Sequence, residues 1–158
     1  MQPRIERISQ KKLIGINIRM SLINDKTSDL WRHFVPRIND IDNKLSRDRI
    51  SLQVYPTSYF DNFSPKLEFV KWAMVEVGDS TYVPDDMAQY TLKGGLYAVF
   101  DYKGPSDDKS IFQYIYGTWV PNSKYKLDNR PHFEVLGEKY KNNNPESEEE
   151  IWIPIQLK

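Results

Sequence analysis

The sequence predicts an α+β domain built as a pseudo-twofold tandem repeat of two βαββ units, with one antiparallel sheet, two main helices and a central cleft at the join. Three observations predict it. Apolar periods run in the order strand, helix, strand, strand, and that order occurs twice. A slide of 80 or 81 residues lays one run on the other. The loop GDSTYVPDDM (78–87) lies between them, giving halves of about 1–80 and 88–158 within a single domain spanning 1–158.

In the first half, Ile14, Ile16 and Ile18 alternate with Gly15, Asn17 and Arg19, the two-residue period of a strand. Thr27 or Ser28 is placed to cap a helix that begins near Asp29. Leu30, Trp31, Phe34, Ile38 and Ile41 recur at helical spacing, and Pro36 within them predicts a kink or break. ISLQVYP (50–56) and FVKWAMVEV (69–77) read as strands flanking the turn-rich TSYFDNFSP (57–65). In the second half, QYTLKGGLYAVFDYKG (89–104) is a long strand pattern interrupted by Gly94 and Gly95. Segment 106–123 reads as a helix capped at Ser106, carrying Ile111, Tyr114, Ile115 and Trp119, and ending by Gly117 and Pro121. HFEVLGEKY (132–140) and EIWIPIQL (150–157) read as the closing strands, with Pro154 predicting a sheet edge or a bulge. Under the slide, Gly15-Ile16 falls on Gly95-Leu96, Leu30 on Ile111, Phe34 on Ile115, Trp72 on Trp152 and Gln53 on Glu134. Each half is too small to bury its apolar face alone, so the two share a core.

Composition narrows the function classes. The 22 basic and 22 acidic residues balance, which argues against a chain devoted to gripping nucleic acid. With no cysteine, disulfides, thiolate nucleophiles and Cys-based metal sites are excluded. His33 and His132 share no HxH or HxxxH spacing, so no metal site is expected, and Gly94-Gly95 lacks phosphate-loop spacing, so no cofactor is expected. The start MQPRIERISQKKLIG has no apolar run of signal-peptide length and no segment reaches membrane-spanning length, so the expected location is cytoplasmic, with no membrane partner. Ten Tyr and four Trp supply rings that suit a core or an apolar ligand site.

The segments LWRHFVPRI, LQVY, KWAMVEV, GGLYAVFDYKGP, IFQYIYGTWVPNS, RPHFEVLGEKY and EEIWIPI, in that order and over nearly the whole chain, resemble the GyrI-like small-molecule-binding domain. This is also the effector-binding domain of AraC-type and MerR-type multidrug-sensing regulators. The resemblance implies a ligand cleft between the halves that takes flat, lipophilic, often cationic compounds. It also implies a buried glutamate facing aromatic rings, which by motif position is Glu134. Some stand-alone relatives are similar to hydrolases that open cyclopropane-bearing alkylating toxins, and others are implicated in protecting DNA gyrase. With no helix-turn-helix pattern in the sequence, direct nucleic-acid binding is not expected.

Glu134 thus has two readings: a solvated strand residue, or a carboxylate held in a pocket. In the second it is the counter-ion of a cationic ligand, with aromatic walls adding cation–π attraction, or the catalytic group of a hydrolase, its pKa raised by the pocket. Trp72 and Met74 share one strand face with Glu76, and Ala73, Val75 and Val77 share the other; the small set suits packing beneath helices and the Trp72 set would face the cleft. Tyr55, Trp119 and Trp152 complete the ligand-binding candidates, each weighed against a purely packing role. Glu150 is a candidate for the cleft rim, and His132 for a His–Glu pair with Glu134. The first reading is a ligand binder acting in sensing, sequestration or toxin protection. The second is a hydrolase using Glu134, and the third a protein-interaction module for a topoisomerase or regulator.

Overall fold

A computed structural model describes residues 1–79 and 82–158; Ser80 and Thr81 of the midpoint loop lie outside the described residues. Its strands are β1 (Arg4–Ile8), β2 (Lys11–Ser21), β3 (Arg49–Val54), β4 (Glu68–Val77), β5 (Ala88–Leu92), β6 (Gly95–Lys103), β7 (Tyr125–Leu127), β8 (His132–Leu136) and β9 (Glu148–Leu157). The antiparallel sheet runs β1-β6-β9-β8-β3-β4-β2-β5, with β7 on β9.

That order forces the sheet to curl. Only Ser9 and Gln10 separate β1 from β2, yet these strands stand at the first and seventh positions. Strands lie about 4.8 Å apart, while two linking residues reach roughly 10 Å. An open sheet is therefore impossible, and the two edges meet. Lys93 and Gly94 make the matching crossing from β5 to β6. The crossings touch: a Cβ on Gly94 would lie 2.6 Å from the Ile8 carbonyl oxygen. Gly95, at φ +151°, opens β6 in a conformation that side chains avoid. The interrupted strand of 89–104 is thus two strands belonging to different halves.

The curled sheet has an inner and an outer face. Inside lie Leu13, Leu52, Trp72, Met74, Tyr97, Val99 and Phe133. Tyr97 donates its hydroxyl to the Pro131 carbonyl (3.0 Å), which satisfies a phenol with no solvent access. Outside, helix α1 (Thr27–Phe34) sets Leu30 and Phe34 on Ile14, Ala73, Val75 and Val77. The helix gives way to a 3-10 turn over Val35–Asp40, where Pro36 removes an N–H. It begins at Thr27, whose N–H and hydroxyl both donate to Asp25 (2.9 and 2.6 Å), rather than near Asp29.

The second helical segment is α2 (Ser110–Tyr114), a π-helical turn (Ile115–Trp119) and α3 (Val120–Asn122). Ile111 and Ile115 pack on Ala98, Phe100, Ile151, Ile153 and Ile155. It starts at Ser110 rather than Ser106, because Asp108 accepts the Ser110 N–H (2.9 Å) while Ser106 bonds Tyr140. Gly117 lies inside the π turn and does not end it. Pro154 is at neither an edge nor a bulge. On one side Tyr97 of β6 pairs with it; on the other, β8 pairs through Trp152 and β7 ends opposite Ile155, so the proline falls where no ladder donor is needed.

The pseudo-twofold is visible in the register. Leu52 pairs with Phe133, Ser51 with Glu134 and Gln53 with His132. A slide of 81 carries Leu52 onto Phe133, Gln53 onto Glu134 and Ser51 onto His132, so the first pair maps onto itself and the other two map onto each other. Trp72 pairs with Leu52, and Trp152 with Phe133, in the same relation. The first strands differ from expectation: Gly15 pairs with Met74 while Tyr97 pairs with Pro154, so Gly15 corresponds to Tyr97 and not Gly95. The shift is two residues, which preserves the face each side chain occupies.

Candidate functional site

The two helical segments cover the flanks of the outer face and leave its centre, strands β3 and β8, without a helix. Outward positions there are Ser51 and Gln53 on β3 and His132 and Glu134 on β8. Lys71 on β4 pairs with Gln53 and shares its face. Glu149 on β9 lies two residues from Ile151, the cross-strand partner of Glu134, and shares that face too. Alternation of β side chains thus gathers an amide, an imidazole, two carboxylates and an ammonium on one patch.

Aromatic rings wall it. The segment after β3 brings Tyr55 and Phe60 to His132, with centroids at 4.9 and 5.2 Å and the Phe60 ring stacked at 19°. The π turn delivers Tyr116, whose ring lies 4.9 Å from Phe60 and whose hydroxyl is 2.8 Å from His132 Nδ1. Such turns recur at functional sites because they re-aim a side chain within a helix.

Glu134 is half-buried. With the Gln53 amide oriented to satisfy both of its ends, its Nε2 donates to Glu134 Oε2 (2.9 Å) and to the His132 carbonyl (3.2 Å). Among the described residues Glu134, Glu149 and Lys71 take part in no ion pair within 4.0 Å. Burial pushes the Glu134 carboxyl up, and the Lys71 and Lys109 charges and the Gln53 hydrogen bond draw it partly back. Burial and the neighbouring Glu134 charge push Glu149 up to about 7. Burial lowers Lys71. Burial, with Arg130 nearby, lowers His132 to about 3, so its ring is neutral. Tyr55 and Tyr116 are held well above the usual phenol range, first by burial. A carboxylate in such surroundings can hold an organic cation or hold and release a proton.

Of the residues singled out in the sequence, the structure brings Glu134 and Tyr55 together here. Trp72, Met74 and Trp152 point to the opposite, inner face, with Trp152 stacked on Phe133 (5.3 Å, 13°). Ala73, Val75 and Val77 do lie beneath α1, so the face expected for the Trp72 set is reversed: the helices and the Glu134 patch share the outer side. Trp119 packs on Phe100 and Tyr125 at the far flank and borders an open surface pocket of about 330 Å³. His132 shares the face of Glu134 but bonds Tyr116, with Gln53 standing between the two. Glu150 accepts a hydrogen bond from Trp152 Nε1 (3.1 Å) on the inner side. Sequence reasoning passed over Lys71, Phe60, Tyr116 and Glu149. Lys71 carried a signal, being the one charge within the apolar run FVKWAMV.

A curled antiparallel sheet with a helix on each flank, and a half-buried carboxylate among rings at its two-fold centre, defines an effector-binding domain. The chain belongs to the Cass2 family, described as integron-associated effector binding protein, whose model matches residues 4–155. The transcriptional regulator BrlR of Pseudomonas aeruginosa is 26% identical over 157 residues, 98% of this chain and 56% of BrlR. The chain thus spans little more than half the length of that relative. Among solved structures, SAV2435 bound to tetraphenylphosphonium superposes with a TM-score of 0.76 at 14% identity, covering 99% of this chain and 94% of that one. The integron cassette protein VCH_CASS2, from the mobile metagenome of Vibrio cholerae, gives 0.67 at 16%, covering 99% and 97%. At these identities the likeness is one of fold. Among the described residues no helix is long and apolar enough to cross a membrane, and no group of three or more His, Asp or Glu is placed to hold a metal ion.

Proposed function

We propose that this chain binds lipophilic aromatic cations on the Glu134 patch, as the ligand-recognition part of a sensing, sequestering or toxin-protecting system. The observation that carries the reading is Glu134 itself, a half-buried carboxylate held by the Gln53 amide, within electrostatic reach of Tyr55 and Tyr116, on the face where Phe60 stacks on His132. A charge removed from water needs a partner. Lys71 and Lys109 compensate it only from beyond contact distance, which leaves capacity for a cation. Tyr55 and Tyr116, both within electrostatic reach of Glu134, bring aromatic rings to the site of that cation. The ligand carried by SAV2435, tetraphenylphosphonium, has this chemistry and is the natural first probe.

The test is calorimetric titration of tetraphenylphosphonium and of neutral triphenylphosphine oxide into the wild type and Glu134→Gln, followed by mass spectrometry of the recovered ligand. The expected result is unchanged ligand, with binding of the cation weakened at least ~10-fold in the variant, about 1.4 kcal/mol, and little change for the neutral compound. Equal losses for both would remove the counter-ion role. Run in parallel with a cyclopropane-bearing alkylator, a hydrated product formed by the wild type alone would assign Glu134 to hydrolysis instead.

A further inference from the structure

On the inner side of the sheet, at one mouth of the curl, lies a second pocket of about 330 Å³, away from the Glu134 patch. One wall is aromatic: Phe133 and Trp152 stack face to face, and Trp152 stays half-buried at the opening. The lining also includes four carboxylates, Glu6, Asp48, Glu76 and Glu150, and one lysine, Lys11. Lys11 reaches Glu76 at 3.4 Å. Arg4 approaches Glu6 and Glu150 from outside, at 2.5 and 2.6 Å, but shares its charge with Asp101 as well. Asp48 is in no ion pair among the described residues. The four lining carboxylates therefore meet one lining lysine and an arginine shared with Asp101, which leaves the wall around the apolar floor net negative.

We infer that this mouth is a second binding site, for a small flat organic cation. The stacked pair gives the pocket an aromatic wall, and a cation beside it gains both ring attraction and the rim's field. The rim disfavours anions, and a neutral ring would leave its charge unanswered. Roughly 300 to 1,000 Å³ is the range of small-molecule sites, and this pocket stands at its lower end, fitting one fused two-ring system rather than a multi-ring dye. Such a ligand would sit against Ile50 and Phe133, on the reverse of the strands that carry Gln53 and Glu134.

The experiment follows the Trp152 indole N–H in ¹⁵N–¹H spectra, assigned with Trp152→Phe, during titration with N-methylquinolinium and with its neutral carbon analogue 1-methylnaphthalene. The proteins are the wild type, Glu134→Gln and the double variant Asp48→Lys/Glu76→Gln. The expected result is a saturable Trp152 shift with N-methylquinolinium in the wild type and Glu134→Gln alike. Affinity should fall at least tenfold for 1-methylnaphthalene and at least tenfold in the double variant. No saturable shift, equal affinity for the neutral analogue, or a shift abolished by Glu134→Gln would overturn the second site. The comparison of the two probes needs only the wild type, so it decides the matter even where the double variant is unstable.

Discussion

Replacing Glu149 by Gln should stabilise the protein above neutral pH and leave its stability near pH 4 almost unchanged. The folded chain holds this carboxyl at about 7 against an ordinary 4.5, first because it is buried and then because Glu134 shares its face. Between those values the native state keeps a proton that the unfolded chain has released. Stability from this group is therefore fully present below pH 4.5, falls as pH rises toward 7, and stays reduced above it. The difference of about 2.5 units, at about 1.4 kcal/mol each, gives about 3 kcal/mol. Glu149 keeps some solvent access, so screening brings the expected penalty nearer ~2 kcal/mol. The amide replaces carboxylate by a neutral group of the same shape and removes the repulsion on Glu134. The assay is urea unfolding of both proteins from pH 4 to 9. With a slope of roughly 2 kcal/mol per molar, the variant's midpoint should lie about 1 M higher at pH 8 and coincide with the wild type at pH 4. A difference that does not change with pH, or a variant less stable at pH 8, would refute the placement of Glu149 beside Glu134 in a poorly hydrated patch.

His132 works in the opposite direction. Folded at about 3 against 6.5 unfolded, it costs stability as pH falls through 6.5, because the unfolded chain takes up a proton that the buried ring refuses. His132→Gln should flatten the unfolding free energy between pH 6.5 and 4 by up to about 3 kcal/mol, read from the same urea series. Gly15→Ala should destabilise by about 3 kcal/mol, at the upper end for overpacking, since its Cβ would collide with the Ala73 carbonyl of the paired strand rather than with a movable side chain; a cost under ~1 kcal/mol would contradict the β2–β4 register.

Much of this architecture was legible because it is written in short periods. The break at Pro36, the apolar faces of both helical segments and the slide that lays Gln53 on Glu134 all follow from local spacing, and the register confirms that slide at the central strands. What was not legible depends on which strands meet. Trp72 and Glu134 each alternate correctly within their own strands, but their relative face is set by pairing through β3, where Leu52 joins Trp72 and Ser51 joins Glu134. No local pattern carries that register. The same holds for β1 and β5, which exchange partners between the halves, and for Pro154, whose missing N–H is tolerated in a central strand only because β8 stops short of it. Glu149 was hidden in an acidic run whose neighbours Glu146 and Glu148 pair with surface lysines.

The departure from symmetry at the centre has a physical reason. Two-fold mates across β3 and β8 place Gln53 and Glu134 at equivalent positions, 2.9 Å apart through the amide hydrogen bond. Were both carboxylates, like charges would meet at contact distance in a half-buried patch, and one would have to keep a proton. Were both amides, nothing would distinguish a cation from a neutral ring. One amide and one carboxylate is the arrangement in which the symmetric fold supplies a donor to hold the charge and still leaves the charge available. Glu149 stands one strand further out, pushed up first by burial and then by the Glu134 charge. Burial pushes both carboxyls of the patch up, and Glu149 takes up its charge only near 7, so the attraction for a bound cation should grow as pH rises through about 7.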